Sequence, residues 1–437
     1  MFLERKENEG KRNISGAVAG YDLSQDRAQI SYCLPGQDKP ETVSQTAGEE
    51  AFLIPAVLAK RGDRDLWLYG TQALECAEKG EAVLVENLLS LAEKGEAVEV
   101  AGEEFDPVAL LSLFLKRTLS LLTPIFPPDR LQALVFTVEE VTKPVLEALT
   151  GAAALLELQA AQIFIIGRAE SFFYYNISQP EDLWRREVLL CDFTGPRLRT
   201  FLFSANRHTM PVASFVEETD REKVERIVRT GDEDQDRRSG MLLDRYFSEA
   251  AKETLTGRTV DTIYLIGEGF EGEWYQESLK ILCEGRRVFL GNNLYSKGAC
   301  YAARERLSPG GVSRGYAFLG KDMLKANLGM HVAYRGSDTY LALLDAGVNW
   351  YDAVGERDFL LEEKNTFSLR ITPLNGKEVR EVLVTLDGLP VRPARATRIH
   401  LKVDMTDVDT VRISMEDLGF GEFFPATHQF WEESVRI

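Results

Sequence analysis

The sequence predicts an α/β protein built of two successive lobes and followed by an antiparallel β-sandwich. Three observations carry that prediction. Two apolar runs, Ala17–Tyr21 and Val188–Cys191, each deliver an aspartate into a turn, Asp22 and Asp192. From there to about residue 316, strand-like runs alternate with helix-like ones, the pattern of parallel strands covered by helices. After about residue 327 apolar residues alternate with polar ones, which fits antiparallel strands with one solvated face.

Composition narrows the function classes. The chain has 437 residues, 44% hydrophobic and 27% charged, enough to bury more than one core. The net charge of −18 repels phosphate backbones and anionic lipid, so neither nucleic acid nor a membrane is expected as a partner. The segment Met1–Lys11 is charged with both signs and has no apolar core, so no signal peptide is expected. No apolar run reaches spanning length. Five scattered cysteines (Cys33, Cys76, Cys191, Cys283, Cys300) fit buried thiols in a reducing compartment, and a cytoplasmic location is expected. The four histidines lie too far apart in sequence to point to a zinc site.

In the first lobe, Ala17–Asp22 and Ala28–Cys33 form a hairpin, and Ala51–Ala59 and Leu66–Tyr69 two extended segments around a Gly62-Asp63 turn. A helix fits Gly70 to Glu78. Glu-Lys-Gly-Glu-Ala-Val occurs at 78–83 and again at 93–98, which reads as repeated helix-stop chemistry. Val108–Leu122 is a buried helix ended by Pro124. Ala133–Val138 is a strand, Thr142 caps a helix over Lys143–Thr150 that Gly151 ends, and Ile163–Ile166 is a further strand.

The second lobe opens with a hairpin of Val188–Asp192 and Leu198–Phe203. The charged stretch Glu217–Arg238 is expected as exposed helix or loop, and Met241–Leu255 as an amphipathic helix. Thr262–Ile266 and Val288–Leu290 are strands, separated by a helix over Glu273–Leu282 and followed by one over Asn293–Arg304. Pro309-Gly310-Gly311 breaks the pattern. In the last part, Phe367, Leu369 and Ile371 alternate with polar residues. So do Val382, Val384 and Leu386; Ile399, Leu401, Val403 and Met405; and Val411, Ile413 and Met415. The turns fall at Asn375-Gly376, Asp387-Gly388 and 406–409. The expected division is a mobile leader over 1–13, lobes over 14–186 and 187–316, a linker over 317–328 and the sandwich over 329–437.

In order, these segments resemble the seventy-kilodalton heat-shock chaperones of the actin-like ATPase superfamily. Ala19-Gly20-Tyr21-Asp22-Leu23-Ser24 stands at the family's first phosphate loop and Val188–Arg197 at its second. Ile166–Tyr175 resembles the start of its interlobe helix, and Leu265-Ile266-Gly267-Glu268-Gly269-Phe270 its adenosine loop. Leu386-Asp387-Gly388-Leu389-Pro390, followed by Ile399–Asp404 and Val411–Asp417, is similar to the family's peptide-binding β-sandwich. The resemblance implies a two-lobed actin-like (ribonuclease H-like) fold. It also implies ATP or ADP with magnesium as the cofactor, and a helical lid that the chain, ending at Ile437, does not reach. Only seventy-five positions separate Asp192 from Gly267, so the resemblance implies a shortened second lobe.

The departures from the family's pattern fall on the phosphate-binding turns. Such turns need glycine so that backbone N–H groups can approach an anion. Ser24 and Gln25 replace a glycine and a hydroxyl residue. The second glycine-rich turn reads Thr194-Gly195-Pro196, in which Pro196 has no N–H, and Arg197 replaces a threonine. The family's catalytic glutamate falls on Arg168, and a lysine on Leu74. The resemblance leaves Asp22 and Asp192 for a magnesium–water shell. It leaves Ser24, Gln25, Arg168, Thr194, Gly195, Arg197, Gly267 and Gly269 as a residual nucleotide site, with Arg168 and Arg197 as charged phosphate donors. The expectation is a non-catalytic interaction or peptide-binding platform with an unknown protein or peptide partner. The alternatives are a slow Mg–ATP-dependent chaperone and a stand-alone peptide binder acting through the sandwich.

Three motifs are assigned plain structural roles. Gly267-Glu268-Gly269-Phe270-Glu271-Gly272 matches a dinucleotide fingerprint, but no ribose-binding acid ends the next strand, so it is expected to be a tight turn. Asp232, Asp234 and Asp236 have calcium-loop spacing without the loop's glycine or glutamate. Phe172, Phe173, Tyr174 and Tyr175 are expected in interlobe packing. Trp350, Tyr351, Phe423, Phe424, Phe430 and Trp431 are expected as core and end plugs of the sandwich.

Overall fold

The computed structural model describes residues 16–437, apart from 47–49, 63–65, 157, 159–160, 222–231, 309–312, 314, 363–364 and 375–377. The expected leader over 1–13, the Pro309-Gly310-Gly311 break and the Asn375-Gly376 turn lie outside the described residues, and Asp63 of the Gly62-Asp63 turn does too. The chain is a mixed α/β protein dividing into two compact units, the second beginning at Leu319. The stretch expected as a linker is structured at both ends. Tyr316–Phe318 is a strand of the first unit, and Ala326–Tyr334 opens the second.

The first unit contains two six-stranded sheets with the same core topology. In one, the hairpin Ala17–Leu23/Arg27–Cys33 is antiparallel. Leu131–Val138 runs parallel to the first strand, and Gln162–Gly167 runs parallel to Leu131–Val138. In the other, the hairpin Glu187–Thr194/Arg197–Asn206 is antiparallel, with Val260–Ile266 and then Arg287–Leu290 parallel beside it. Asp22 pairs with Gln29 and Thr137, and Asp192 with Arg199 and Ile266. The two aspartates therefore occupy equivalent places near the ends of equivalent strands.

The first-unit helices follow local chemistry. Asp106 and Thr142 cap Pro107–Leu119 and Lys143–Ala154, each accepting a backbone N–H, with proline in the first turn. Gly151 does not end its helix. It lies inside, where a Cβ would come 3.1 Å from Val108 Cγ1, so it allows close helix packing. Both Glu-Lys-Gly-Glu-Ala-Val copies stop a helix and start a strand. Gly80 (φ +71°) and Gly95 (φ +69°) supply the left-handed turn.

The charged stretch 217–238 differs from expectation at its start, where it is strand, and agrees from Glu233, where it is helix; 222–231 lie outside the described residues. Val212–Arg221 is the third strand of the second sheet, its charges on a mostly exposed face, and Glu233–Leu255 is one long helix. Asp232, part of the calcium-like spacing, caps that helix by accepting from the N–H groups of Asp234 and Gln235. Cys33, Cys76, Cys191 and Cys300 are buried, whereas Cys283 is exposed.

Helix Leu294–Leu307 packs on the first sheet although its sequence follows the second. Its approach needs Gly20 and Gly298. A Cβ on Gly20 would meet Ser296 O at 2.2 Å, and one on Gly298 would meet Ser171 O at 2.1 Å. Of the aromatics Phe172–Tyr175, three meet strands of the second sheet and Tyr174 packs on Phe173. Phe172 lies against Phe201, Phe173 stacks on Phe318 with centroids 5.0 Å apart, and Tyr175 meets Tyr264.

The second unit is two four-stranded antiparallel sheets. One contains Ala326–Tyr334, Ser337–Leu344, Thr366–Pro373 and Arg380–Thr385. The other contains Val354–Leu360, Arg398–Asp407, Thr410–Asp417 and Phe430–Arg436. Ile399, Leu401, Val403, Val411, Ile413 and Met415 alternate inward, and Phe359 of one sheet meets Phe367 of the other at 5.0 Å. Trp350 is buried, but Phe423 and Phe430 are exposed, so they do not plug the core. Among the described residues, no helix is long and apolar enough to cross a membrane.

Candidate functional site

Five strands of the two sheets bring charged side chains to one place in the first unit. Asp22 and Asp192 arrive there from the hairpins. Glu139 follows Leu131–Val138, Arg168 follows Gln162–Gly167, and Glu268 follows Val260–Ile266. Such convergence at the carboxyl ends of strands is the usual place for ligands in open α/β sheets. Here it is filled with charged side chains.

Arg168 is the hub. Its Nη1 donates to Asp192 Oδ2 at 3.3 Å, and its Nε lies 3.8 Å from Asp22 Oδ1. The guanidinium stacks on the Tyr295 ring at 4.8 Å, and Tyr295 Oη donates to Asp192 Oδ2 at 3.0 Å. Thr194 Oγ1 donates to Asp192 Oδ1 at 2.6 Å. Arg168 and Asp192 are buried, and the Asp22 side chain is 14% exposed. Arg168 is also the first residue of helix Arg168–Ile177, where the helix dipole disfavours a cation. The two carboxylates offset both costs. Burial opposes its charge, yet Asp22 and Asp192 hold the Arg168 guanidinium above its ordinary pKa. Burial pushes the Asp22 carboxyl up, Arg168 opposes that shift, and Asp192 adds to it.

A second layer surrounds the hub. Arg199 Nη1 pairs with Glu139 Oε1 at 2.6 Å, and its Nη2 lies 4.0 Å from Asp192 Oδ2. Arg197 Nη1 donates to the same Glu139 oxygen at 2.6 Å, and Arg197 also pairs with Asp220. Glu268 accepts from Arg27 of the first hairpin turn and from the Gly195 N–H at 2.9 Å. Burial opposes ionisation of Glu268, but those two donors hold its carboxyl below the ordinary value.

The remaining predicted residues take local roles. Ser24 Oγ donates to Asp26 Oδ1 and to Arg27 O, closing its own turn. Gln25 Oε1 accepts from Ser90 N. Gly267 and Gly269 pack on Phe193. A Cβ on Gly267 would lie 2.3 Å from Phe193 O, and one on Gly269 would lie 2.2 Å from its ring. That ring meets Phe270 and Trp274, so close aromatic packing accounts for the glycine pattern. Among the described residues, no group of three or more His, Cys, Asp or Glu is placed to hold a metal ion.

Residues 39–321 match the family described as Family of unknown function (DUF5716) C-terminal. The chain belongs to the DUF5716 family. Residues 323–437 match a second description, Domain of unknown function (DUF8552), and the two matches meet close to the division between the units. No curated protein matches this DUF5716 chain. The first match begins after the hairpin that carries Asp22.

Sequence reasoning missed five residues of this site: Arg27, Glu139, Arg199, Glu268 and Tyr295. One had a readable signal. The hairpin turns through Gly195-Pro196, which sets Arg199 directly opposite Asp192. Tyr295 and Glu268 reach the site through long-range packing, which no local pattern records.

Proposed function

We propose that the first unit is a two-lobed actin-like fold whose nucleotide site is occupied by the protein's own side chains, and that the chain is a non-catalytic interaction platform of the cytoplasm. One observation carries this reading: the Arg168 guanidinium bridges Asp22 and Asp192, where the resemblance places a magnesium–water shell. Glu268 supports it in the complementary sense. Its carboxylate takes the Gly195 N–H that a phosphate oxygen would use, and Pro196 offers no donor. The equivalent strand order of the two sheets supports the two-lobed fold. This donor set does not fit a magnesium nucleotide. A metal ion would have to displace the buried Arg168 cation, at a cost of several kcal/mol by order of magnitude, and a phosphate would have to displace the partly buried Glu268 carboxylate from Arg27 and the Gly195 N–H.

Phosphoryl transfer rests on positioning and electrostatics, so the loss of several positioning groups removes catalysis. Equilibrium binding of a fluorescent ATP analogue with magnesium tests the reading. No saturable binding is expected. Saturable binding that disappears in Asp22→Ala and Asp192→Ala would overturn it.

A second reading, a slow Mg–ATP-dependent ATPase, is favoured by one observation: Asp22 Oδ1 and Arg168 Nε are buried without hydrogen-bond partners. The same titration separates the two. The partner of the platform is proposed to be a protein or peptide.

A further inference from the structure

We propose that Phe423 is the plug of a contact between copies of this chain, seated in an apolar cavity on the first unit of a second copy. The plug side is a loop between the strands Thr410–Asp417 and Phe430–Arg436. It is pinned by Asp417, whose side chain is fully buried. That carboxylate accepts from Arg392 Nη1 and Nη2 at 2.7 and 2.8 Å, from Gly419 N at 2.9 Å, and from Thr427 N and Oγ1 at 3.0 and 2.7 Å. Arg392 Nη2 also donates to Pro425 O at 2.9 Å. The turn is tight: a Cβ on Gly419 would lie 2.4 Å from Ala426 N. The loop holds Phe423 92% exposed, and Phe420 is half exposed beside it in sequence.

A buried ion pair adds little net stability, but it fixes a conformation. Here the conformation fixed is one that holds a phenyl ring in water. Preorganised display of an aromatic side chain is how a protein lowers the entropic cost of association.

The socket side lies at the end of helix Pro107–Leu119. Leu119, Leu122, Phe126, Leu131, Leu156 and Leu158 wall a cavity of about 210 Å³. An apolar cavity of about 150 Å³ takes a benzene molecule, so this one has room for a phenyl ring. Lys116 is the one charged residue among its described lining residues. Glu422 precedes Phe423, so the tip brings a carboxylate to a cavity that offers an ammonium. The chain thus carries both halves of the contact, which is why a second copy is the occupant. Two different patches meeting make a heterologous contact, which extends beyond a dimer unless it closes into a ring.

Sedimentation velocity of the full chain from low to high micromolar concentration tests this. The weight-average mass should rise with concentration. Phe423→Asp and Ser120→Trp, the latter plugging the cavity from an exposed lining position, should each weaken association at least about tenfold. Their melting midpoints should stay close to that of the unsubstituted chain. A mixture of the two variants keeps one intact tip and one intact cavity, so it should form dimers and nothing larger. A monomer at high micromolar concentration would overturn the proposal, as would an assembly indifferent to both substitutions.

Discussion

Arg168 donates to Asp192 across 3.3 Å with both side chains sealed from solvent, and the same guanidinium faces Asp22. A buried cation between two carboxylates is stable only as a set, because each member offsets the desolvation of the others. Arg168→Met should therefore cost about 3–5 kcal/mol, the usual cost of stripping one partner from a buried pair. Arg168→Lys should recover only part of that, since an ammonium lacks the planar fork and stacks less well on Tyr295. Adding Asp192→Asn to Arg168→Met should cost less than the sum of the single changes. Urea denaturation of the unsubstituted chain, Arg168→Met, Arg168→Lys, Asp192→Asn and the double variant reads this directly.

Tyr295→Phe keeps the ring under Arg168 and removes the hydroxyl that donates to Asp192. A hydrogen bond to a charged group contributes about 1.5–3 kcal/mol, and the variant should lose that much in the same assay. An unchanged midpoint would mean that Asp192 is satisfied without it.

Gly20→Ala should be far more damaging than an exposed glycine change. Its new methyl would meet Ser296 O at 2.2 Å and Cys300 N at 2.3 Å, and both are backbone atoms. Overpacking costs about 1–3 kcal/mol where side chains can adjust, and more where they cannot. A depressed thermal midpoint for Gly20→Ala, with Gly291→Ala mild because a Cβ there meets nothing within 4 Å and needs no left-handed backbone, is the expected pair of results.

Glu268 ties the first hairpin to the second through Arg27 and the Gly195 N–H. Glu268→Ala should expose that amide. Hydrogen exchange at Gly195 should accelerate by at least about tenfold, as expected for local opening that no longer breaks a bond to a charged acceptor. Unchanged protection would remove Glu268 from the latch.

Asp417 gives the second unit a pH dependence of defined sign. Burial would raise its carboxyl, but Arg392, Thr427 and the Gly419 N–H together hold it well below the ordinary range. The folded state therefore binds fewer protons than the unfolded state between the two pKa values. The stabilisation is fully present above the unfolded value of about 3.9 and is lost as pH falls toward the folded value. Asp417→Asn should be less stable at neutral pH by about 3–5 kcal/mol and flatter with pH below about pH 4. Denaturation at a series of pH values checks both features.

The elements were largely legible because they rest on local rules. Asp22 and Asp192 ended apolar runs, Thr142 capped its helix, and period two marked the strands around Ile399 and Val411. Gly151 misled because a glycine that ends a helix and one that admits a neighbouring helix look alike in sequence. Val212–Arg221 was missed because its strand faces solvent and carries charge instead of alternating apolar residues. The site was half legible. Arg168 stood out as a cation where the resemblance called for an acid, but its bridging of two carboxylates depends on strands more than a hundred residues apart. Phe423 was misplaced because exposure of an aromatic residue depends on a loop pinned by Asp417.

The central claim is that the protein's own groups hold the place of a metal and a phosphate. The most direct measurement is the thermal midpoint of the unsubstituted chain with and without a large excess of Mg–ATP. A ligand at 100 times its dissociation constant stabilises by about 2.7 kcal/mol. The account predicts an unmoved midpoint; a clear upward shift that requires both magnesium and Asp192 would contradict it.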